Sequence, residues 1–561
     1  MARRRIAAVL AVVALALIFA FVLVPNAPCS FPGGDRCPPG DDAITLIPDD
    51  ALVYLHANVD AEDEQFQAID ELARELPQLG LDLASAVPII GEIVADFGDR
   101  VDPWAADELA VAVFSDGLGV SQTALIEVDD ADGALAYADG LVANDAVEAT
   151  LNGVTITSDS RGNAFAIVEG YLAVGDRAAV GAVVRVGAGE LEPLSDVDVA
   201  SDLLDGLPDR RVLSAYVSGV GLDLADRSGA LGAFDTFFDS SASRGAAATV
   251  SVDDGSVEVE LASDLDPELA EESPGVLAAL PGFDPQLPEE VGADALALLS
   301  IGDAQQSIGR LLSRASTEAP DLLRGLRTFG RRLQGGQGSD LDEQLLGVLG
   351  SETALTVEPP TTEPVDPEQQ GTPGIAAAPQ TPYLGLYARE VDEQAAKETL
   401  AGLQEEIADA VDPRGGQAAT FRTEEIDGIE AQILRVSGAV ELAYGFAGDT
   451  LVAGSSPVAI ERFAGEGDSL AADDGFEAAV ADFPEDPGLL VFFDLERLIE
   501  LGEAAGLATD PAFALRAPEL RRLRDAALAV TSSPDELRTN LRLTLGEAQP
   551  PEPEVDIPTL P

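Results

Sequence analysis

Apolar residues recur at two spacings along this chain, and each spacing predicts a different element. Phe66, Ile69, Leu72 and Leu76 fall three or four positions apart, and so do Ile308, Leu311 and Leu312. That spacing lines one face of a helix. Elsewhere the spacing is two: Val257-Glu-Val-Glu-Leu261 and Leu541-Arg-Leu-Thr-Leu545 alternate apolar and polar residues, as half-buried strands do. Asn152-Gly153 and Asp427-Gly428 each sit between alternating runs, where such dipeptides favour a tight hairpin. Antiparallel hairpins with packed helices predict an α+β fold. No sustained strand–helix alternation calls for a parallel sheet.

The pattern also repeats. Asp50-Ala-Leu-Val-Tyr-Leu55 resembles Asp294-Ala-Leu-Ala-Leu-Leu299, and Glu108-Leu-Ala-Val-Ala-Val113 resembles Glu352-Thr-Ala-Leu-Thr-Val357, both at an offset of 244 (294 − 50, 352 − 108). Larger offsets follow in the same order: Leu151–Val154 with Ile426–Ile429, Tyr171–Gly175 with Thr450–Gly454, and Val212–Val217 with Leu489–Phe493. Ala246–Val250 then matches Ala526–Val530, and Val257–Leu261 matches Leu541–Leu545. One order across many blocks is the signature of an internal repeat. It predicts a first α+β copy over 46–265 and a second over 266–545, as two domains or as one pseudo-symmetric body. A free sheet edge in each copy could pair with its sibling. Residues 358–382 are rich in Pro, Thr and Gln and read as a surface insertion in the second copy. Residues 28–45 read as a Pro/Gly-rich stalk, and 546–561 as a disordered, acidic, Pro-rich tail.

Ahead of this body, Arg3, Arg4 and Arg5 precede Ile6–Val24, a run without a single charge. Such a run can cross a bilayer core as a helix. The arginines hold its start in the cytoplasm and send the remainder outward. Pro25-Asn26-Ala27-Pro28 is a poor signal-peptidase site, and Pro28 sits where a lipoprotein signal needs a small residue before Cys29. Residues 1–27 are therefore expected to be an uncleaved signal-anchor, with a single-pass topology and an extracytoplasmic body. Cys29 and Cys37 are the two cysteines of the chain, and an oxidising compartment makes a local disulfide between them reasonable.

Pro48-Asp-Asp-Ala-Leu-Val-Tyr-Leu-His-Ala-Asn58 and Asp102-Pro-Trp-Ala-Ala-Asp-Glu-Leu-Ala-Val-Ala-Val-Phe114 resemble the DUF3352 proteins, an uncharacterised bacterial family. The resemblance covers roughly residues 46–545. It implies an extracytoplasmic protein with an N-terminal anchor, and it brings no activity or active-site residues with it. Ala105-Ala106 stands where the family's segment after the tryptophan is expected to hold a glycine.

Charge and composition then narrow the chemistry. Asp and Glu number 101 against 32 Lys and Arg, a formal charge of −69. A surface this negative repels nucleic-acid phosphates and anionic lipid headgroups. The sole histidine, His56, excludes a multi-histidine zinc site. It lies in a strand-like run, where a hydrogen-bonded structural role is expected. Trp104, the only tryptophan, is expected to anchor the core. No nucleophile elbow, phosphate loop, dinucleotide fingerprint, Cys-x-x-Cys or calcium loop occurs, so no catalytic residue, cofactor site or metal ligand is assigned. The acidic groups Asp129/Asp130/Asp132, Asp196/Asp198/Asp202 and Asp253/Asp254 read as solvated turns in so acidic a chain. Arg310, Arg314, Arg324, Arg327, Arg331 and Arg332 interleave with leucines. They make either an interaction helix facing an anionic surface or an internal counter-charge. The expectation is a non-enzymatic envelope protein that binds a protein, lipid or small ligand, with a cleft between the copies as the natural site. The competing readings are a carboxylate hydrolase acting on cell-wall glycans and a structural spacer.

Overall fold

A computed structural model describes residues 40–546, leaving out 61–62, 76–100, 102, 116–118, 144, 230–234, 254, 273–274, 276, 279, 308–345, 361–381, 412–420, 438–439 and 466. The first half contributes ten strands. These are β1 (Ala51–Asn58), β2 (Ala105–Ser115), β3 (Val120–Val128), β4 (Val147–Leu151), β5 (Val154–Ser158), β6 (Asn163–Val168), β7 (Tyr171–Asp176), β8 (Leu213–Ser218), β9 (Ser243–Asp253) and β10 (Ser256–Leu265). The second half contributes β11 (Ala297–Gly302), β12 (Glu352–Glu358), β13 (Tyr383–Arg389), β14 (Phe421–Ile426), β15 (Ile429–Ser437), β16 (Val440–Ala447), β17 (Thr450–Gly454), β18 (Leu489–Asp494), β19 (Leu523–Ser532) and β20 (Glu536–Leu545).

Twelve α-helices accompany them among the described residues. The first half carries α1 (Glu64–Glu75), α2 (Ala131–Asp139), α3 (Arg177–Gly187), α4 (Asp198–Asp205), α5 (Gly219–Ser228), α6 (Asp235–Phe238) and α7 (Pro267–Glu272). The second carries α8 (Glu393–Val411), α9 (Val458–Ala464), α10 (Asp474–Val480), α11 (Leu495–Ala504) and α12 (Pro511–Leu520). The fold is α+β with one large antiparallel sheet. No helix of the described residues is long and apolar enough to cross a membrane. Residues 6–24, Cys29, Cys37 and the six arginines from Arg310 to Arg332 lie outside the described residues, as do most of the Pro-rich insertion and all but the start of the acidic tail.

The strand pairings give one order across the molecule: β4-β5-β6-β7-β3-β2-β1-β8-β9-β10, then β20-β19-β18-β11-β12-β13-β17-β16-β15-β14. The second run repeats the first in reverse. His56 pairs with Ala110 in the first half and Ser300 with Ala354 in the second, so the offset of 244 (300 − 56, 354 − 110) is structural. Asn152 and Gly153 both have positive φ (50° and 87°), and so do Asp427 and Gly428 (47° and 88°). Two consecutive positive values are what a two-residue type I′ hairpin demands.

The last predicted block sits differently in the structure. Val250 opposes Val259, and Val530 opposes Thr539, an offset of 280 (530 − 250, 539 − 259). Val257–Leu261 therefore corresponds to Leu537–Leu541 rather than to Leu541–Leu545. A slip of four residues keeps every side chain on its face, so alternation alone could not detect it.

The halves join strand to strand through β10 and β20, with Glu260 opposite Asn540. These two residues are each other's counterparts (540 − 260 is 280), which puts a pseudo-two-fold axis between them. Hydrogen-bonded sheet thus joins the copies, and a small pocket of about 30 Å³ at the junction is lined from both, by Glu258 and Glu260 on one side and Phe483, Asn540 and Arg542 on the other. Arg542 pairs with Glu258 and, at 3.0 Å, with Asp482; Arg538 pairs with Glu260 and, at 2.6 Å, with Glu536.

One face of the sheet is buried in both halves. In the first half α3 and α4 cover Tyr54, Leu125 and Tyr216; in the second α9 and α10 cover Leu298, Leu490 and Phe492. The packed body includes residues ahead of the stalk boundary at 45. A 3₁₀ turn at Ala43–Leu46 belongs to it, with Ala43 fully buried. Its Pro/Gly/Asp-rich approach masks the signal, because what holds this turn is a distant glutamate, described below.

Continuity across β10–β20 predicts that the body unfolds as one cooperative unit. Val259 is buried in this join between Val250 and Leu541. Val259→Asp puts an unpaired carboxylate there and should cost about 3 kcal/mol or more. The expected outcome by denaturant titration is a single transition in the parent and two separated transitions in the variant.

Candidate functional site

A buried glutamate where the second strand meets the end of the β1–β2 ladder, Glu108, and its counterpart Glu352 organise the two halves. Glu108 accepts a hydrogen bond from the Asp42 N–H at 2.8 Å, lies 3.0 Å from His56 Nε2 and accepts the Tyr171 hydroxyl. Glu352 accepts the Gln286 N–H at 2.9 Å, the Leu287 N–H at 3.0 Å and the Ser300 hydroxyl at 2.9 Å. All three correspondences share the 244 offset (286 − 42, 300 − 56, 352 − 108). In both halves the carboxylate captures backbone donors of the 3₁₀ turn that precedes the first strand, Ala43–Leu46 in one and Leu287–Glu289 in the other. Unsatisfied, those buried donors would each cost about 1–3 kcal/mol.

The first half builds more on this anchor. The Tyr54 hydroxyl donates to Asp41. Asp41, His56 and Glu108 each bring one donor atom into a group whose atoms all lie within 4.8 Å of one another. Burial alone lowers the His56 pKa, but the carboxylates of Asp41 and Glu108 outweigh it and hold the imidazole above its ordinary value. Burial, reinforced by Asp41, pushes the Tyr54 hydroxyl well above its ordinary range. Asp41, Tyr54 and His56 are matched in the second half by Pro285, Leu298 and Ser300.

The second half has its own polar insertion, at the opposite end of the corresponding strand. Glu358, 1% exposed, accepts the Thr356 hydroxyl at 2.8 Å and the Tyr387 hydroxyl at 3.3 Å, with Arg462 at 3.6 Å. Arg462 also pairs with Asp294 and lies over the Tyr383 ring. Counterparts of Glu358 and Tyr383 in the first half are Phe114 and Ser121, which oppose each other in the same way.

Two open surfaces belong to the second half. A concavity of about 630 Å³ is lined by Phe283, Asp284, Asp303, Ser351, Arg389 and Glu390. Asp303 and Glu390 hold left-handed backbone there, with φ of 38° and 57°, the kind of strain that gathers at functional sites. On one face of the sheet, Leu299, Leu355, Leu384 and Phe493 are 38%, 51%, 60% and 41% exposed. Leu299, Leu355 and Phe493 correspond to Leu55, Val111 and Val217, which are 7%, 7% and 3% exposed in the first half. There, Phe66, Ile69 and Leu72 of α1 and Leu222 of α5 seal the face. Gln65 pins α1 to β9, its side-chain amide donating to the Val252 carbonyl at 2.6 Å and accepting the Val252 N–H at 2.8 Å. In the second half α11, the counterpart of α5, has no buried residue.

The remaining sequence candidates fall into structural places. Trp104 is buried and packs on Tyr137 with ring centroids 5.3 Å apart. Asp130 caps α2, Asp198 begins α4, and Asp253 pairs with Arg210 at 2.7 Å. Glu258 and Glu260, carboxylates at the junction, are each matched by an arginine. Sequence reasoning missed Asp41, assigned to the stalk, and Glu358, placed at the edge of the Pro-rich insertion. The usable signal was the repeat itself: where aligned blocks agree, His56 against Ser300 and Phe114 against Glu358 mark the departures.

Burial raises the Glu358 carboxyl above its usual 4.5; Asp294 adds to this, and Thr356 and Arg462 oppose it. A carboxyl with a raised folded pKa contributes stability that is present below 4.5 and is lost as pH rises through the folded value. Glu358→Gln should therefore raise the melting temperature at pH 8 and leave it unchanged near pH 4. Thermal denaturation at both values tests this, and a lower melting temperature at pH 8 would show that the Arg462 pair outweighs burial.

No curated protein matches the chain. Among solved structures, crystal form I of TP0453 matches at 9% identity and a TM-score of 0.24, and form III at 13% and 0.23. Each match covers 40% of this chain and 80% of the other. The model of the DUF3352 family, described as a protein of unknown function, matches residues 6–545, nearly the whole sequence. The chain belongs to the DUF3352 family.

Proposed function

We propose that this protein is a non-enzymatic binding protein of the cell envelope, anchored in the membrane by residues 6–24 with its body outside, whose second half receives an apolar, positively charged segment of a partner protein. The observation that carries the reading is the contrast between the halves. Among the described residues, the same sheet face is sealed in the first half and exposed at Leu299, Leu355, Leu384 and Phe493 in the second. Exposed apolar patches of this kind mark interaction surfaces. A formal charge of −69 favours a basic partner and steers its approach. The anchor reading rests on the arginine cluster ahead of an uncharged run.

Two measurements test it. A reporter active only in the cytoplasm, fused to the C-terminus, should be silent; activity there ends the anchor reading. An amphipathic Leu/Arg peptide labelled with fluorescein should bind the full-length chain in fluorescence anisotropy. Leu355→Asp and Phe493→Asp should each weaken it by at least about tenfold, or about 1.4 kcal/mol. Equal affinity in parent and variants would remove the face as the binding surface. Binding that emerges only after residues 308–345 are replaced by a Gly/Ser linker would show that the chain fills the face itself.

A further inference from the structure

The glutamate anchor is common to both halves, but only the first surrounds it with metal-ligating side chains. We propose that Asp41, His56 and Glu108 form a site for one divalent transition-metal ion of the Zn²⁺ or Mn²⁺ class, held by His56 Nε2 and one oxygen from each carboxylate.

Geometry comes first. Ligands held at about 2.0–2.2 Å from a small divalent ion stand roughly 3–3.6 Å apart. His56 Nε2 and Glu108 are already 3.0 Å apart, and the three donor atoms all lie within 4.8 Å of one another. The three come from separate places: the approach to the first 3₁₀ turn, β1 and β2. A shift of the Asp41 side chain alone would tighten the set, and Asp41 is the least buried of the three.

The sibling half supplies the second argument. There Glu352 ties down its own turn with a serine at the histidine position and proline at the aspartate position. In that half the anchor therefore closes with a serine hydroxyl and without a counterpart of His56 or Asp41. Their placement around the one shared carboxylate calls for another reason.

The surroundings fit an ion as well. Tyr54 donates to Asp41 and Tyr171 to Glu108, the kind of outer hydrogen bond that orients a ligating carboxylate. A metal ligand must be a neutral imidazole, and in that form of His56 the carboxylates of half-buried Asp41 and buried Glu108 need a positive charge beside them. Arg211, whose charge reaches Asp41 and His56, supplies one positive charge. A mixed nitrogen–oxygen set suits Zn²⁺ or Mn²⁺ better than the all-oxygen sites typical of Ca²⁺.

The full-length chain in detergent, stripped with chelator, is titrated with Zn²⁺ and Mn²⁺ by calorimetry and with Co²⁺ by visible absorption. One tight site per chain is expected above the weak binding of the acidic surface, with a Co²⁺ spectrum that reports nitrogen ligation. Tyr54→Phe should weaken the site by about 10–100-fold, and His56→Ser and Asp41→Asn by at least as much. His56→Ser installs the sibling's residue, and Asp41→Asn leaves the glutamate anchor whole, so one folding failure does not block the test. The same affinity and Co²⁺ spectrum in parent, His56→Ser and Asp41→Asn would overturn the proposal, as would the lack of any tight site in the parent.

Discussion

Everything in this body depends on two strands finding each other. β10 and β20 each close a ten-strand half, and each would present a row of unpaired backbone donors and acceptors if left alone. Such edges invite pairing with any available strand. Here each edge satisfies the other over nine consecutive residue pairs, from Ser256 opposite Thr544 to Asp264 opposite Glu536. Because the partners are counterparts in the repeat, one edge geometry solves the problem twice. Arginines of β20 reach glutamates of β10 across the join, so cross-strand charge favours this register over a shifted one. The sheet that results is continuous, and α3, α4, α9 and α10, drawn from both halves, pack against one face of it.

Within each half the same logic works at shorter range. Glu108 and Glu352 each cap the backbone of the turn before the first strand from more than sixty residues away. Local propensity cannot produce such a contact, because its two sides are joined only when the sheet closes. It fixes where the chain enters the sheet, and it places the residues just before that turn against the core. In the first half that fixed entry is what carries Asp41 to His56.

How much of this was legible follows from the same distinction. The repeat, the α+β class, the two Asn/Asp-Gly hairpins and the buried tryptophan were all written in local pattern, which period and turn chemistry encode directly. The pairing of sibling edges was legible as an option, since a repeat with a free edge carries its own partner. The four-residue slip at Leu537–Leu541 was not, because alternation has a period of two and is blind to even shifts. Asp41 looked like stalk, since Pro, Gly and Asp around it resemble a linker and the contact that orders it is non-local. His56 was readable as a buried strand residue, but its carboxylate partners were not. One comes from β2 and the other from ahead of β1, and only the fold brings them together.

The two halves therefore share a scaffold and differ in what each has placed on it. The first seals its second sheet face under α1 and α5 and gathers ionisable groups about Glu108. The second, among its described residues, leaves Leu299, Leu355, Leu384 and Phe493 of that face exposed, places a buried carboxyl at Glu358 beside Arg462, and opens a concavity lined by left-handed Asp303 and Glu390. Features common to both halves are accounted for by folding, since each copy needs them to close its sheet. Features found in one half alone have no such account. Burying Glu358 or His56 costs desolvation that the sibling avoids with Phe114 or Ser300, and exposing Leu355 forgoes burial that the sibling gains with Val111. In a repeated fold the sibling serves as an internal control for stability, and whatever it lacks is where specific function has to be sought.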